Sequence, residues 1–316
     1  MGGLAAVSLG LGSASGAPPR TGEARRPAAA RPGVPEVRRI SRIEDQGGER
    51  LLRSPLAIAR DRKTGELVVS SFESGEVVVL DRSGVLVTRF GADAGLVTPY
   101  GVAVDAAGRI YVSELRTGLV KVLGSGGAPE DELDLSRIAG RPVSPGRITL
   151  GDDGLVYVAD VSGNKVLVVG RQGELVRELG PFQQLQKSGP VAGGRILGLS
   201  AYGAAVTLFE RSGAPVRSFG QHGDPSERNV SFPTGFAVDA KGRIWIADAF
   251  QHRIKVFSLA GEFLFNFGRP QETPDGEGFF FPVDLCFGAP GELIVLEKGA
   301  ERIQTFRVAD LVEAGR

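Results

Sequence analysis

The sequence is poor in the residues that form disulfides and soft-metal sites. Of its 316 residues, one is a cysteine, Cys286, one is a methionine, Met1, and two are histidines. A single cysteine excludes an intrachain disulfide and a thiolate cluster, and the lack of an internal methionine excludes a methionine-ligated copper or haem. The cysteine count fits both a reducing and an oxidising compartment.

An excess of charge and long apolar runs are also missing. Lys and Arg together number 37, as do Asp and Glu, so the formal net charge is zero. A neutral chain disfavours a dedicated nucleic-acid surface, which needs concentrated Lys and Arg. Beyond the N-terminus no apolar run is long enough to span a bilayer, which argues against a membrane-embedded protein. The 46 glycines and the apolar fraction of 42% indicate a turn-rich globular chain.

Residues 1–36 differ from the rest of the chain. Residues 1–17 are apolar and small, like the core and cleavage site of a signal peptide, although no Lys or Arg precedes them. The segment from Ala17 to Glu36 is rich in Pro, Ala and Arg and reads as a linker. We therefore expect a signal peptide and linker over 1–36 and a folded domain over 37–316. Export is favoured, and the alternative is a flexible tail or a mis-assigned start on a cytoplasmic protein.

The domain is a series of repeats, and the clearest copy runs from Phe232 to Gly268. It holds four short apolar segments, GFAVD, RIWIAD, RIKVFS and EFLFNFG, separated by turn-length polar linkers. Segments of this length and composition predict strands paired as antiparallel hairpins. Further copies begin at Ser54, Thr98, Ser144 and Phe281, and a degenerate one begins at Gly193.

A turn glycine precedes the second strand of every copy. These glycines recur at intervals of 40 to 49 residues, at Gly65, Gly108, Gly154, Gly194, Gly242 and Gly291. A four-stranded unit buries both faces only between two neighbours, so a closed ring satisfies all six copies. The sequence predicts an all-β protein, a six-bladed β-propeller of four-stranded antiparallel blades.

The ends of the domain predict how the ring closes. The last copy supplies three strands, whereas an alternating apolar segment, VRRISRI at 37–43, stands before the first blade. Pairing this N-terminal strand with the last blade would complete its sheet and remove an exposed edge.

The strings IWIADAFQHRIKVF, VYVADVSGNKVLVV and IYVSELRTGLVKVL resemble the NHL repeat, and the resemblance extends over residues 54–316 with varying fidelity. The resemblance implies a six-bladed propeller. Members of the family include protein-binding and RNA-binding modules, receptor sensor domains and a zinc-dependent lyase family, so the resemblance implies architecture more than activity.

An acidic residue ends the second strand in several copies. Glu114, Asp160 and Asp248 occupy this position, with Glu297 one residue later in register, whereas the other two copies carry serine. The loops that follow share one face of a propeller, so these acids are candidates for binding a cation or a cationic partner. The alternative is that each carboxylate caps its own turn and pairs with a nearby cation such as Arg253 or Lys165.

The two histidines, His222 and His252, fall in loops predicted on that same face. With Asp224 and Asp248 they have the composition of a two-histidine, carboxylate metal site. His252, however, occupies a slot where the NHL pattern often has His before Arg, which accounts for it without a ligand role. We predict no metal, no cofactor and no catalytic residue.

Two long loops are the remaining binding candidates. The loop at 269–282 ends in three phenylalanines, of which Phe279 and Phe280 are candidate aromatic anchors. The alternative for one or two of the three is packing between blades. The loop at 221–233 is the second candidate.

These observations favour a non-enzymatic scaffold or binding module, with loops on one propeller face that bind a protein or peptide. The alternative is a metal-dependent hydrolase or lyase with its site at the central channel. RNA binding is disfavoured by the neutral charge.

Overall fold

The computed structural model describes residues 35–44, 50–223, 226, 228–271 and 278–309, and these residues are mostly in β-strands. The predicted signal peptide and all but the last two residues of the predicted linker lie outside them. Within the described residues, 24 strands form six four-stranded antiparallel sheets. The predicted all-β, six-bladed propeller is confirmed.

The first three blades follow one another along the chain, and in each the strands run from the innermost to the outermost. Blade 1 consists of β2 (Pro55–Arg60), β3 (Leu67–Ser71), β4 (Glu76–Leu80) and β5 (Leu86–Phe90). Blade 2 consists of β6 (Pro99–Val104), β7 (Ile110–Glu114), β8 (Leu119–Leu123) and β9 (Pro129–Asp134). Blade 3 consists of β10 (Pro145–Leu150), β11 (Val156–Asp160), β12 (Lys165–Val169) and β13 (Leu175–Leu179).

The other three blades complete the ring. Blade 4 consists of β14 (Leu185–Val191), β15 (Arg195–Ser200), β16 (Ala204–Phe209) and β17 (Pro215–Gln221). Blade 5 consists of β18 (Pro233–Val238), β19 (Ile244–Asp248), β20 (Arg253–Phe257) and β21 (Phe263–Phe267). Blade 6 consists of β22 (Pro282–Phe287), β23 (Glu292–Glu297), β24 (Arg302–Val308) and β1 (Val37–Ile43).

Helical structure is confined to short connections. One helical turn, α1 (Leu135–Ala139), links blade 2 to blade 3, and the Asp134 side chain caps it by accepting from the backbone N–H of Arg137. Two 3₁₀ turns cover Ala92–Ala94 and Ala192–Gly194. No helix in the described ranges is long and apolar enough to cross a membrane.

The middle strands of each blade are apolar on both faces because each face packs against a neighbouring blade. In β11, with the sequence VYVAD, every residue is buried, and β3 and β19 show the same pattern. The outermost strands have one free edge and are more exposed, as in β17. The hydrophobic core is thus a series of layers between blades.

The turn between the first and second strands requires a left-handed residue in every blade. All six predicted turn glycines have positive φ, between 73° and 88°, although those in blade 4 and blade 6 stand closer to their strands. A residue with a Cβ is disfavoured in this conformation, so the recurrence of glycine follows from the backbone.

The first and last strands close the ring as predicted. Strand β1 pairs antiparallel with β24, from Val37 opposite Val308 to Ile43 opposite Ile303, with a bulge between Arg39 and Ser41. Ile43 is buried in the apolar cluster between blades 6 and 1. The N-terminal strand therefore removes the edge that the last blade would otherwise expose.

The degenerate blade begins earlier than the sequence indicates. Its innermost strand is β14 (Leu185–Val191), and the segment after Gly193 is the second strand, β15. The sequence of β14, LQKSGPV, lacks the apolar character of the other inner strands. It contains Lys187, whose side chain takes part in a charged contact described below, so hydrophobic periodicity does not identify this strand.

The six innermost strands stand side by side around a central channel. Each contacts the inner strands of both neighbouring blades, including β22 with β2. The backbones approach closely where the strands carry glycine: a Cβ on Gly101 would lie 2.7 Å from the carbonyl oxygen of Gly146. The Ser113 hydroxyl donates to that same carbonyl, which ties blade 2 to blade 3.

Candidate functional site

The channel opens at two mouths. The entry mouth is the end where the inner strands begin, and it forms a cavity of about 640 Å³. The exit mouth is the end where the inner strands finish, and its cavity measures about 630 Å³. The turns between second and third strands lie on the entry side, as the sequence predicts, and contribute Phe250 and Glu301 to its wall.

Each blade contributes the third residue of its inner strand to one level of the channel. Three of these residues are small and three are charged: Ala57, Gly101 and Gly235, and Arg147, Lys187 and Asp284. The small residues leave room in the narrow ring for the long side chains of the other blades.

Asp284 faces both Arg147 and Lys187 inside the channel, where all three residues are buried. Lys187 Nζ lies 2.7 Å from Asp284 Oδ1, and the backbone N–H of Ile58 donates to Oδ2 at 3.2 Å. Arg147 Nη2 donates to the carbonyl oxygens of Leu56 at 2.7 Å and Val283 at 3.2 Å. Arg147 lines the entry mouth and Lys187 lines the exit mouth.

Two cations face one carboxylate in this group. Arg147 Nε lies 3.9 Å from Asp284 Oδ2, too far for a hydrogen bond, and has no other hydrogen-bond partner among the described residues. This group of three residues therefore carries one positive charge in excess. The Arg147 guanidinium also stands over the Tyr100 ring, with Cζ 5.8 Å from the ring centroid.

These residues do not fit a divalent metal at the centre of the channel. Such ions need several carboxylate or imidazole ligands, whereas the single carboxylate of this level, Asp284, already pairs with Lys187. The positive charges of Arg147 and Lys187 would also repel a metal cation. No cluster of three His, Cys, Asp or Glu suited to a metal occurs in the described ranges.

Cys286 does not provide a nucleophile either. It lines the exit mouth, and burial, with a smaller contribution from Asp284, raises the pKa of its thiol to about 12. A thiol with this pKa is protonated at neutral pH and is a poor nucleophile.

Aromatic side chains form the wall of the entry mouth at blades 5 and 6. The Phe250 ring stacks on the Phe232 ring with centroids 4.6 Å apart and planes at 16°, and it contacts the edge of Phe281 at 6.1 Å. Phe250 is nevertheless 59% exposed. We name Phe232, Phe250 and Phe281, together with the adjoining Phe280, the aromatic wall. Phe280 does not line the cavity itself, and its ring stands 5.1 Å from that of Phe281. An exposed aromatic cluster of this kind is typical of a binding surface.

The three consecutive phenylalanines of the long loop have different positions. Phe279 is 1% exposed and packs between blades 5 and 6 against Phe267 and Phe306, so it is not available as an anchor. Phe280 is 41% exposed, which keeps it as a candidate. Phe281 is half-buried in the entry mouth, immediately before β22. Residues 272–277 of this loop lie outside the described residues.

His252 supports the aromatic wall. It occupies the left-handed position of its turn, with φ of 53°, and its ring stacks on Phe280 with centroids 5.8 Å apart. Its Nδ1 accepts the backbone N–H of Phe281 at 3.1 Å. Burial lowers the pKa of His252, against a smaller opposing effect of Asp248 and Glu297. The neutral imidazole is therefore the form that fits this hydrogen bond.

The histidines are not brought together. His222 is exposed and its ring stands 5.2 Å from that of Tyr202 in blade 4, whereas His252 lies at the junction of blades 5 and 6. Asp224, the proposed carboxylate partner, lies outside the described residues, as do residues 225 and 227 of the same loop.

The three acidic candidates are buried and bind the backbone of their own blade. Glu114 accepts the N–H groups of Val97 and Thr98, the latter at 2.7 Å. Asp248 accepts those of Ser231 at 2.9 Å and Phe232 at 3.1 Å. All three acids are 0% exposed. All three hold the connection that precedes their blade, and Asp160 and Asp248 also cap their own turns by accepting the N–H groups of Gly163 and Gln251. The predicted cation partners Lys165 and Arg253 bind elsewhere.

Asp160 is the acid of this set that has an arginine partner. Arg141 donates to its Oδ2, and Ser162 and the backbone N–H groups of Ser144 and Gly163 donate to Oδ1. Burial by itself raises the pKa of Asp160, but the hydrogen bonds from Arg141 and the other donors outweigh it, and the pKa is lowered.

Glu297 belongs to the same register as these acids rather than one residue later. It pairs with Pro282 at the start of β22, just as Asp248 pairs with Pro233 at the start of β18. Its carboxylate accepts the N–H of Phe280 at 2.6 Å and the Nε–H of Arg302 at 2.7 Å. Each of the two acids also stands six residues after its turn glycine, Gly242 or Gly291, so the register of blade 6 is the same as that of blade 5.

The sequence prediction did not include Arg147, Lys187 and Asp284. Their signal is present: when the copies are aligned on the proline or leucine that begins the inner strand, the third position is a small residue in three copies and a charged residue in the other three. Because the sequence analysis began the fourth copy at Gly193, it did not assign Lys187 to an inner strand.

The six antiparallel sheets around a channel define a six-bladed β-propeller, and its site is an aromatic mouth above a buried arginine. The model of the NHL repeat matches residues 231–257, which include β18, β19 and β20 of the clearest blade. The chain is a six-bladed propeller with an NHL repeat at these residues.

Solved structures of low sequence identity share the fold. A gluconolactonase from Xanthomonas campestris has a TM-score of 0.65 and 18% identity, over 90% of this chain and 99% of that one. Virginiamycin B lyase from Staphylococcus aureus has a TM-score of 0.61 and 14% identity, over 86% of this chain and 100% of that one. Hydrazine synthase from Kuenenia stuttgartiensis has a TM-score of 0.58 and 15% identity, over 84% and 99%. No curated protein sequence matches the chain.

Proposed function

We propose that this propeller is a binding module that receives a protein segment or peptide at the entry mouth. The observation that carries the proposal is Phe250, which is 59% exposed while it stacks on Phe232 at the edge of a cavity of about 640 Å³. A large aromatic side chain held rigidly at the surface loses little conformational freedom when a partner covers it.

The contacts behind the aromatic wall support this proposal. Phe232 is fixed by the bond from its N–H to Asp248, Phe280 by the bond to Glu297, and Phe281 by the bond to His252. The wall is therefore preorganised by polar groups that belong to the blades, of which Asp248 and Glu297 are buried. Preorganisation favours binding because less ordering is needed when the complex forms.

An enzymatic role has less support in the residues of this chain. The similar solved structures include a lyase and a gluconolactonase, but at 14% and 18% identity they share the fold alone. The channel presents Arg147 and Lys187 where a metal-dependent hydrolase or lyase would need anionic ligands. Metal analysis of the purified protein checks this point: a tightly held stoichiometric metal ion would favour the enzymatic alternative.

The proposal is tested with a random library of linear peptides selected on the immobilised full-length protein. Selected peptides are then labelled, and their affinities are measured by fluorescence anisotropy for the wild type and for Phe250→Ser. We expect the substitution to weaken binding by more than about tenfold, a loss of about 1.4 kcal/mol, because aromatic hot spots contribute at least this much.

A matched control is Val87→Ser. Val87 is a large apolar residue with 52% exposure on the outer strand of blade 1, and it does not line the entry mouth. We expect Val87→Ser to bind the selected peptides like the wild type. If the selection enriches no peptide, or if Phe250→Ser and Val87→Ser bind equally well, the entry mouth is not a peptide site.

A further inference from the structure

Arg147 has unused hydrogen-bonding capacity at the base of the entry mouth. It is 3% exposed, lines the cavity, and uses only Nη2 for hydrogen bonds with the described residues. Its Nε has no hydrogen-bond partner there, and the nearest carboxylate oxygen, of Asp284, is 3.9 Å away. A buried guanidinium normally has its N–H groups satisfied, so this arrangement is incomplete without an acceptor.

The missing acceptor is best supplied by an anion. Lys187 Nζ pairs with Asp284 Oδ1 at 2.7 Å. The single carboxylate therefore faces two cations, Arg147 and Lys187, and one positive charge at this level of the channel has no matching negative charge. A carboxylate beside Arg147 would supply that charge and hydrogen-bond acceptors.

The cavity limits which part of a peptide can reach this guanidinium. Arg147 lies below the aromatic wall and spans the channel to the carbonyl groups of Leu56 and Val283. An internal peptide segment would have to enter and leave through the same mouth. A chain end needs to enter only once, and a C-terminal end carries a carboxylate.

The acidic side chains of the mouth stand at its rim. Glu301 accepts from the N–H of Ser54 at 2.9 Å and from Arg50 at 3.1 Å, and Glu73 is exposed on the turn of blade 1. The charge at the base of the cavity is therefore that of Arg147. An aromatic wall above a cationic base complements an apolar residue that ends in a carboxylate.

We propose that the entry mouth binds the C-terminal end of a peptide, with the terminal carboxylate on Arg147 and the last, apolar side chain against Phe232 and Phe250. This inference rests on the proposed function and names the part of the partner that binds. It is the mode in which a terminal carboxylate is recognised by fixed donors at the base of a pocket.

The test compares two forms of each peptide selected as above, one with a free C-terminal carboxylate and one with a C-terminal amide. For the wild type we expect the amide to bind more than about tenfold more weakly, because it removes a charge-assisted hydrogen bond to a buried guanidinium. This comparison needs no protein variant, so it stands even where substitution of Arg147 impairs folding.

Two variants assign the effect to Arg147. In Arg147→Met the acid and the amide should bind with equal affinity. Arg60→Met is the control, since Arg60 ends the same kind of inner strand but lines the exit mouth, and it should retain the preference for the acid. Circular dichroism and thermal midpoints establish that both variants are folded.

The outcomes separate this inference from the proposed function. Peptides that depend on Phe250 but bind equally as acid and amide would overturn the terminal-carboxylate site and leave the binding module intact. Retention of the acid preference by Arg147→Met would also overturn it. Binding of free 3-phenylpropionate as tightly as the peptide acid would overturn the peptide end as the occupant. The absence of any Phe250-dependent peptide would end both proposals.

Discussion

Lys187 of blade 4 and Asp284 of blade 6 form an ion pair inside the channel, with Nζ 2.7 Å from Oδ1. The pair joins two blades that are not neighbours in the ring. Both side chains are buried, so each charge is stabilised by its partner rather than by water, and Asp284 also faces the guanidinium of Arg147.

The first prediction concerns the unequal numbers of charges in this group, which has two cations and one carboxylate. Asp284→Asn would leave Arg147 and Lys187 buried without a carboxylate, and we expect it to lower the free energy of unfolding by about 3–5 kcal/mol. Lys187→Met should lower the free energy of unfolding by less, because Asp284 would still face Arg147 and would still accept the backbone N–H of Ile58. Chemical denaturation of both variants measures the two losses. An equal or larger loss for Lys187→Met would contradict this account of the channel.

The second prediction concerns closure of the ring. Ile43 is buried against blade 1, whereas Ile40 of the same strand is 40% exposed. We expect Ile43→Ala to lower the free energy of unfolding by about 2–5 kcal/mol, as for other buried isoleucines. Ile40→Ala is the control and should stay within about 0.5 kcal/mol of the wild type.

Deletion of residues 37–43 tests the same closure more severely. It removes the whole of β1 and exposes the edge of β24, so we expect a marked fall in the thermal midpoint. A thermal midpoint equal to that of the full chain would show that the pairing does not stabilise the ring.

The third prediction separates two adjacent phenylalanines. Phe279 is packed between blades 5 and 6, so Phe279→Ala should lower the free energy of unfolding by about 3–5 kcal/mol. Phe280→Ala should cost no more than about 1 kcal/mol, because the exposed ring loses mainly its stacking on His252. Thermal or urea unfolding of the two single variants provides the comparison, and similar losses would argue against this packing.

The fourth prediction is a pH dependence of stability that originates at His252. Burial lowers the pKa of this histidine in the folded protein below its usual value of 6.5, although Asp248 and Glu297 oppose the effect. As the pH falls through 6.5, the unfolded chain therefore takes up a proton more readily than the folded chain does. Stability from this group is complete above that pH and decreases below it.

A pair of variants isolates this contribution. His252→Asn keeps a side chain that tolerates the left-handed backbone and removes the titrating group, so its stability should fall less steeply between about pH 7 and pH 5. His222→Asn removes the exposed histidine and should retain the wild-type slope. Urea midpoints over this pH range measure the slopes, and identical slopes for the two variants would rule out the role of His252.

The positions of the candidate site residues were predicted from the sequence, but their burial was not. The acids at the ends of the second strands were found from the repeat, but their burial was not, because a carboxylate that caps a turn and one that faces solvent occupy the same position in a pattern. The aromatic run at 279–281 was found as well. Which of its three rings is buried depends on the packing of blades 5 and 6 around Phe267 and Phe306.

The sequence alone determined the number of blades, their four-stranded construction and the strand that closes the ring. These properties follow from local patterns, namely strand-length apolar segments, turn glycines and a repeat period, each of which is read from neighbouring residues. The contents of the channel were decided by the tertiary structure. Arg147, Lys187 and Asp284 come from three blades and are far apart along the chain, and only closure of the ring brings their charges within reach of one another.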